Sequence, residues 1–266
     1  MDRTNNMRLG VNIDHVAVLR EARRVNDPDI INALNVACDN GADQITIHLR
    51  EDRRHIQDKD AELIMQISKL PVNLECSINR DILDIVCKLK PHRATLVPEK
   101  REEVTTEGGL DVFTYEDEIS YAIEQLHDSI IPVSLFVDPS IKAMEASKDL
   151  GAEMVELHTG TFANIYAMLH SNLSYSNHSI KELELPRYAL SSQLDAAITD
   201  IVNSAKHAKK LGLEVAAGHG LNYHNVKHMM DIIEITELNI GQSIIARSVF
   251  SGLADAVKEM KRLTTR

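Results

Sequence analysis

The chain has 266 residues, 44% of them hydrophobic and 26% charged, with a formal net charge of -11. That length and composition are enough for a large core, and the acidic balance disfavours nucleic acid or any other polyanion spread over the surface, while a few arginines remain available for a small phosphorylated substrate. Cys38, Cys76 and Cys87 form no CxxC pair, the N-terminal MDRTNNMRLG lacks the apolar stretch of a signal peptide, and no run approaches the ~18 apolar residues of a membrane span, so the sequence predicts a soluble, cytoplasmic protein with reduced thiols and no membrane partner.

Short β-rich runs alternate with longer amphipathic stretches, the order of a parallel sheet with helical crossovers. Leu9 to Val11 is the first strand, and Asp29 to Asn40 has helical spacing closed by Gly41. Strand two is Gln44 to Leu49, with a helix from about Asp60 to Leu70 stopped by Pro71. Strand three is Val72 to Cys76, followed by a helix from about Asp81 to Lys90 and Pro91; strand four is Ala94 to Val97.

From Pro98 to Phe113 no apolar period is visible, and the paired Gly108 and Gly109 predict a hinged active-site lid or a solvated surface excursion. Tyr115 to Asp128 reads as helix, Pro132 to Val137 as strand, Ser140 to Leu150 as helix and Glu153 to Leu157 as strand. Residues from Thr161 to about Ser191, rich in Asn, Ser and His, read as an insertion of unassigned structure. Leu194 to Leu211 is a helix closed by Gly212, Leu213 to Ala217 strand seven, Ile235 to Ile240 strand eight, and helices begin at Ser243 and Leu253. The fold class is therefore α/β, one (β/α)₈ TIM-barrel domain over residues 1–266 with extra helices and an insertion after strand six.

Polar residues collect where the strands end. Asn12, Asp14 and His15 follow strand one, His48 and Arg50 strand two, Glu75 strand three, Glu156 and His158 strand six, and His219 strand seven. Carboxylates and imidazoles cost free energy in a core, so their recurrence at one end of successive strands predicts a shared site at the mouth of a barrel. Residues two apart on a strand share a face, which pairs Asn12 with Asp14, His48 with Arg50, and Glu156 with His158 if the strands extend that far. Such a rim is equipped for repeated proton transfer on an anionic substrate.

Two segments suit a phosphate. In AGHGLNYHN, 217–225, Gly218 and Gly220 flank His219, and Asn222 is placed to cap a helix; in NIGQSII, 239–245, Gly241 precedes another helix start. Loops after strands seven and eight with exposed helix amides are the usual phosphate position in such a barrel. A metal-dependent barrel hydrolase or aldolase is the chemical alternative, with His15, His48, His55, His158 and His219 as ligands, although Arg50, Arg53 and Arg54 would repel a cation there. A barrel that binds a phosphorylated metabolite without turnover is the other.

GVNIDHVAVLREAR (10–23), GADQITIHLREDRRHIQD (41–58), LVPEKREEVTTEGGLDV (96–112), VELHTG (155–160), AGHGLNYHNVK (217–227) and ELNIGQSII (237–245) closely resemble the pyridoxine 5′-phosphate synthase family over almost the whole chain. The resemblance implies a cytoplasmic (β/α)₈ homo-oligomer, an octamer, with no metal and no organic cofactor. Its implied reaction joins 1-deoxy-D-xylulose 5-phosphate to 3-amino-2-oxopropyl phosphate, giving pyridoxine 5′-phosphate, inorganic phosphate and water. By motif, it implies that His48 and Glu75 accept protons, His219 donates one and Glu156 stabilises developing charge. It places Asp14, His15, Arg50, His55 and Thr105 on the deoxyxylulose phosphate, and Asn12, Arg23, Gly220, Gly241 and Gln242 on the amino ketone phosphate. Two departures accompany it: residues 161–191 are longer than expected, and Gln242 stands where His is expected after NIG.

Overall fold

A computed structural model describes residues 7–99 and 108–266. Eight parallel strands close into a barrel in sequence order: β1 (Arg8–Asn12), β2 (Gln44–His48), β3 (Val72–Cys76), β4 (Arg93–Leu96), β5 (Val133–Val137), β6 (Met154–His158), β7 (Glu214–Gly218) and β8 (Glu237–Ile240). The expected (β/α)₈ architecture is met, and every expected strand lies within two residues of its observed bounds.

Helices wrap the strands: α1 (Asp14–Glu21), α2 (Ile30–Asp39), α3 (Asp58–Ile67), α4 (Arg80–Leu89), α5 (Glu116–Asp128), α6 (Ile141–Asp149), α7 (Gly160–His170), α8 (Arg187–Lys210), α9 (Lys227–Met230), α10 (Gln242–Ser251) and α11 (Leu253–Leu263). Their starts are written locally. Asp29 accepts from the Ile31 amide at 2.8 Å, Asn79 from Asp81 at 2.9 Å and Ser140 from Ala143 at 3.1 Å, each satisfying an orphan donor. The stops at Gly41 and Gly212 have φ of 114° and 81°, a region that favours glycine.

Alternate strand residues divide the barrel into two environments. Leu9, Val11, Ile45, Ile47, Leu74, Val155, Leu157, Val215 and Leu238 are fully buried in the apolar core with the inner faces of the helices. The intervening positions, Gln44, Thr46, Asn73, Thr95, Glu156, Glu237 and Asn239, are buried and linked by hydrogen bonds. The lumen is therefore polar, where branched apolar side chains usually fill such a barrel. Glu237 is held by Arg93 and, at 3.2 Å, by Arg8, so its charge is compensated within the lumen.

Several boundaries depart from the sequence expectation. The 161–191 segment is ordered: most of α7, two 3₁₀ turns (Leu173–Tyr175 and Lys181–Leu183) and the first turn of α8 occupy it. α8 starts seven residues before Leu194 because, apart from Leu190, its early turns are largely exposed and show no apolar stripe. Asp14 and His15 belong to the first turn of α1 and Arg50 to a loop, so the proposed same-strand pairing holds for Glu156 with His158 but not for Asn12 with Asp14 or His48 with Arg50. Asn222 caps a turn, accepting from the His224 amide at 2.9 Å, and the helix beyond it, α9, has four residues. The middle of the expected lid lies outside the described residues. At its exit a Cβ on Gly109 would collide with the Val137–Asp138 backbone, so close packing against the end of β5 calls for glycine at this position.

Candidate active site

Register places the expected catalytic residues at one end of the barrel. His48 is paired in register with Glu75 across β2 and β3, and Glu156 and His158 lie side by side with Ala216 and Gly218 of β7, just before His219. Asp14, at the start of α1, accepts the His48 amide at 3.0 and 3.1 Å and the Asn12 side-chain amide at 2.9 Å, which joins β1, α1 and β2 into one corner. Asp14 thus organises the rim as well as facing it.

His48 is oriented by a residue that strand-end reasoning missed. Its Nε2 lies 3.0 Å from Glu99 Oε1, and the other Glu99 oxygen accepts from the Glu51 amide at 3.0 Å. Burial opposes the charge on Glu99, but the His48 ring, the Glu51 amide and Arg50 outweigh it and hold the carboxyl below its ordinary range. Glu99 lies past Pro98 in the LVPEKRE run; the strand pattern had already ended there.

The carboxyls at the mouth are pushed the other way. Burial, then Glu156 and Asp14, raise Glu75 well above the ordinary carboxyl range. Glu156 is raised to about 7, chiefly by burial and further by Glu237, against the Asn239 side-chain amide that donates to it at 2.7 Å. Like charges converging on a small space disfavour full ionisation, so Glu75 and Glu156 both hold a proton more tightly than an exposed carboxyl does.

Histidines line the opposite arc. His158 Nδ1 is 2.9 Å from Asp138 Oδ1, and the same oxygen accepts from the Gly109 amide at 3.0 Å. The His158 and His219 rings meet edge to face with centroids 4.9 Å apart, and a Cβ on Gly160 would strike His158. His219 is a non-glycine residue at φ 76°, held there as the Thr159 hydroxyl donates to the carbonyls of Gly218 and His219 at 2.7 and 2.6 Å. Packing, then His158 and His15, lower His219 to about 4; its solvent side is exposed, which tempers the effect. The imidazole is neutral at pH 7.

The expected phosphate groups divide. Arg50 and His55 are buried beside His48, whose ring centroid is 6.0 Å from that of His55; burial, then His48, Arg50 and His15, lower His55 to about 3. Arg20 fixes this corner by donating to both Asp60 oxygens, at 2.8 and 2.7 Å, and to the His55 carbonyl at 3.1 Å. Across the mouth, Gly241 packs against Asn12 and precedes α10, whose first residue, Gln242, is exposed. Gly220, at φ 79°, leaves no room for a Cβ beside Ala163. Arg23 is exposed just beyond α1, roughly 13 Å of helical rise from Asp14, apart from the strand-end cluster. Thr105 lies outside the described residues. Of the five candidate metal-binding histidines, His48 and His158 have carboxylate partners.

A closed parallel barrel with acids, imidazoles and buried arginine at its C-terminal rim defines the class, a (β/α)₈ barrel with an acid–base site suited to anionic substrates. Residues 9–266 match the family model described as pyridoxal phosphate biosynthesis protein PdxJ, and the chain belongs to that family. It is 77% identical to the pyridoxine 5′-phosphate synthase of Sulfurimonas denitrificans, over 98% of this chain and 100% of that one. The synthase of Aliarcobacter butzleri is 63% identical, with coverages of 97% and 98%. The expectation of an enzyme of this family is met. A phosphoribosylanthranilate isomerase structure from Thermotoga maritima superposes with a TM-score of 0.56 at 13% identity, covering 97% of this chain and 98% of that one, and shows the shared fold alone.

Proposed function

We propose that this chain condenses 1-deoxy-D-xylulose 5-phosphate with 3-amino-2-oxopropyl phosphate to form pyridoxine 5′-phosphate, phosphate and water by acid–base catalysis. The observation that carries the proposal is the convergence of His48, Glu75, Glu156 and His219 on one rim, where the proton affinities of Glu75 and Glu156 are raised and that of His219 is lowered. Imine formation, enolisation, elimination and ring closure each move a proton, and such a set supplies acid and base by turns.

His48, backed by Glu99, takes protons from carbon or nitrogen. Burial and the neighbouring Glu156 and Asp14 carboxyls raise the proton affinity of Glu75, which strengthens it as the second proton acceptor. Neutral His219 donates through a ring nitrogen, and Glu156 stabilises the developing iminium charge. Arg50, His55, Asp14, His15 and Thr105 hold the deoxyxylulose phosphate. Asn12, Gly220, Gly241 and Gln242 hold the other substrate, its phosphate on the first amides of α10, where a backbone-held anion tolerates Gln242.

Among the described residues no helix is long and apolar enough to cross a membrane. We infer a cytoplasmic homo-oligomer; Val18, Leu19, Val249 and Phe250, exposed on the touching helices α1 and α10, support self-association. No metal or organic cofactor is required in this scheme, because the C–N and C–C bonds formed and the C–O bonds broken with loss of water and phosphate each need only the acid–base assistance that the rim can serve. The test is steady-state kinetics after chelator dialysis. His219→Asn should lower kcat by ~10²–10⁴ with little change in KM, and Arg50→Ala should raise KM for the deoxyxylulose phosphate. Changes in KM alone for both variants, or activity restored only by a divalent ion, would overturn the scheme.

A further inference from the structure

Directly beneath Glu156 the lumen carries a buried polar chain that the proposed roles do not use. Asn239 donates through Nδ2 to Glu156 Oε2 at 2.7 Å and to Glu237 Oε1 at 3.3 Å, and its Oδ1 accepts from Thr46 at 3.2 Å. Glu237 is fully buried and paired with Arg93, which also reaches Gln44 at 3.2 Å.

The neighbouring strands leave room for this arrangement. Asn239 is in register with Gly10 on β1 and Gly218 on β7. A Cβ at Gly10 would run into Asn239 Oδ1, and one at Gly218 into Glu156 Oε1. Neither glycine has a positive φ, so space and not backbone freedom calls for glycine at both positions.

We propose that Asn239 is a positioning residue that holds Glu156 in its working orientation and couples it to the Arg93–Glu237 pair below. This rests on the reading of Glu156 as the charge-stabilising carboxylate. The groups facing Glu156 are Glu75 from β3, Arg93 from β4 and Glu237 from β8; its register neighbours Phe136 on β5 and Ala216 on β7 carry no charge. Asn239 favours the ionised carboxyl by donating to it, whereas Glu237 disfavours it by like charge. The two residues therefore push Glu156 in opposite directions.

The experiment is the pH profile of kcat/KM for the full-length enzyme and its variants, with circular dichroism confirming the fold. Glu156→Gln should remove one limb near pH 7 and so assign it. Asn239→Ala should move that limb up, and Glu237→Gln should move it down, each by about one pH unit. Gly10→Ala, which displaces Asn239 while keeping its chemistry, should shift it in the direction of Asn239→Ala and serves if Glu237→Gln does not fold. A limb that survives Glu156→Gln overturns the reading of Glu156 itself. A limb lost in Glu156→Gln but unmoved, or moved the same way, by the Asn239 and Glu237 variants overturns the coupling while leaving that reading intact.

Discussion

His48 Nε2 lies 3.0 Å from Glu99 Oε1, so the imidazole proposed as a proton acceptor is oriented by a carboxylate from the far side of β4. A base held by a third group is the arrangement that nucleophile and proton-abstraction sites share. Glu99→Gln keeps the shape and loses the charge. It should lower kcat by ~10–100-fold with KM changed less than about threefold, in line with losses on removing an outer partner. Equal losses in kcat and binding would assign Glu99 to substrate contact.

The two glycines Gly218 and Gly212 separate function from stability. Gly218→Ala drives a Cβ into Glu156 and should cost activity while leaving a folded barrel. Gly212, at φ 81°, faces open space, with nothing within 4 Å of where a Cβ would stand, so Gly212→Ala should lose about 1 kcal/mol of stability and no activity. Urea denaturation alongside kinetics checks both.

Protonation gives Glu156→Gln a signed effect on stability. The Glu156 carboxyl, raised from 4.5 to about 7, binds more protons folded than unfolded between those values, so its contribution is present below pH 4.5 and is lost as pH rises through 7. Glu156→Gln removes that loss. Relative to the natural chain it should gain stability by on the order of 1–3 kcal/mol at pH 8, and the gain should shrink toward pH 5. His55, lowered from 6.5 to about 3, has the opposite slope: the unfolded chain takes up the proton first, so stability falls as pH drops below 6.5. Chemical denaturation at pH 5 and 8 reads both, and a pH-independent difference for Glu156→Gln would contradict the assignment.

Arg20→Ala should destabilise the fold by roughly 3–5 kcal/mol, because it leaves Asp60 buried without its guanidinium. It also frees the His55 carbonyl, so the variant should bind the deoxyxylulose phosphate more weakly. Unfolding and KM, measured on the same preparation, test the link.

The barrel was legible because each outward strand face is apolar and several crossover helices are bounded by Pro, Gly or a capping residue, as at Asp29, Gly41 and Pro71. The rim was legible because His48, Glu75, Glu156 and His219 break those runs. The lumen was not. Gln44, Thr46, Asn73 and Asn239 read as ordinary half-polar strand residues, and their linkage depends on closure, which brings β8 against β1 across more than 220 residues of chain. α1 escaped notice because only eight residues separate the rim from its end, too few for a helical period to stand out. α7 was hidden within a stretch whose average composition is that of a loop, although Phe162, Ile165 and Leu169 are buried along it. Asp138 and Glu99 sit past strand ends, where sequence offers no period at all.

The most direct test of the central claim follows the two phosphates. The carbon skeletons require the phosphorylated carbon of the deoxyxylulose to become a free hydroxymethyl group, while the phosphomethyl group of the amino ketone survives in the product. Purified enzyme should be given each substrate labelled with ³²P in turn. Label from the deoxyxylulose phosphate should appear as inorganic phosphate, and label from the amino ketone should remain in pyridoxine 5′-phosphate. No labelled pyridoxine product, or the reverse distribution, would contradict the proposed reaction and the assignment of Arg50 and His55 to the phosphate that leaves.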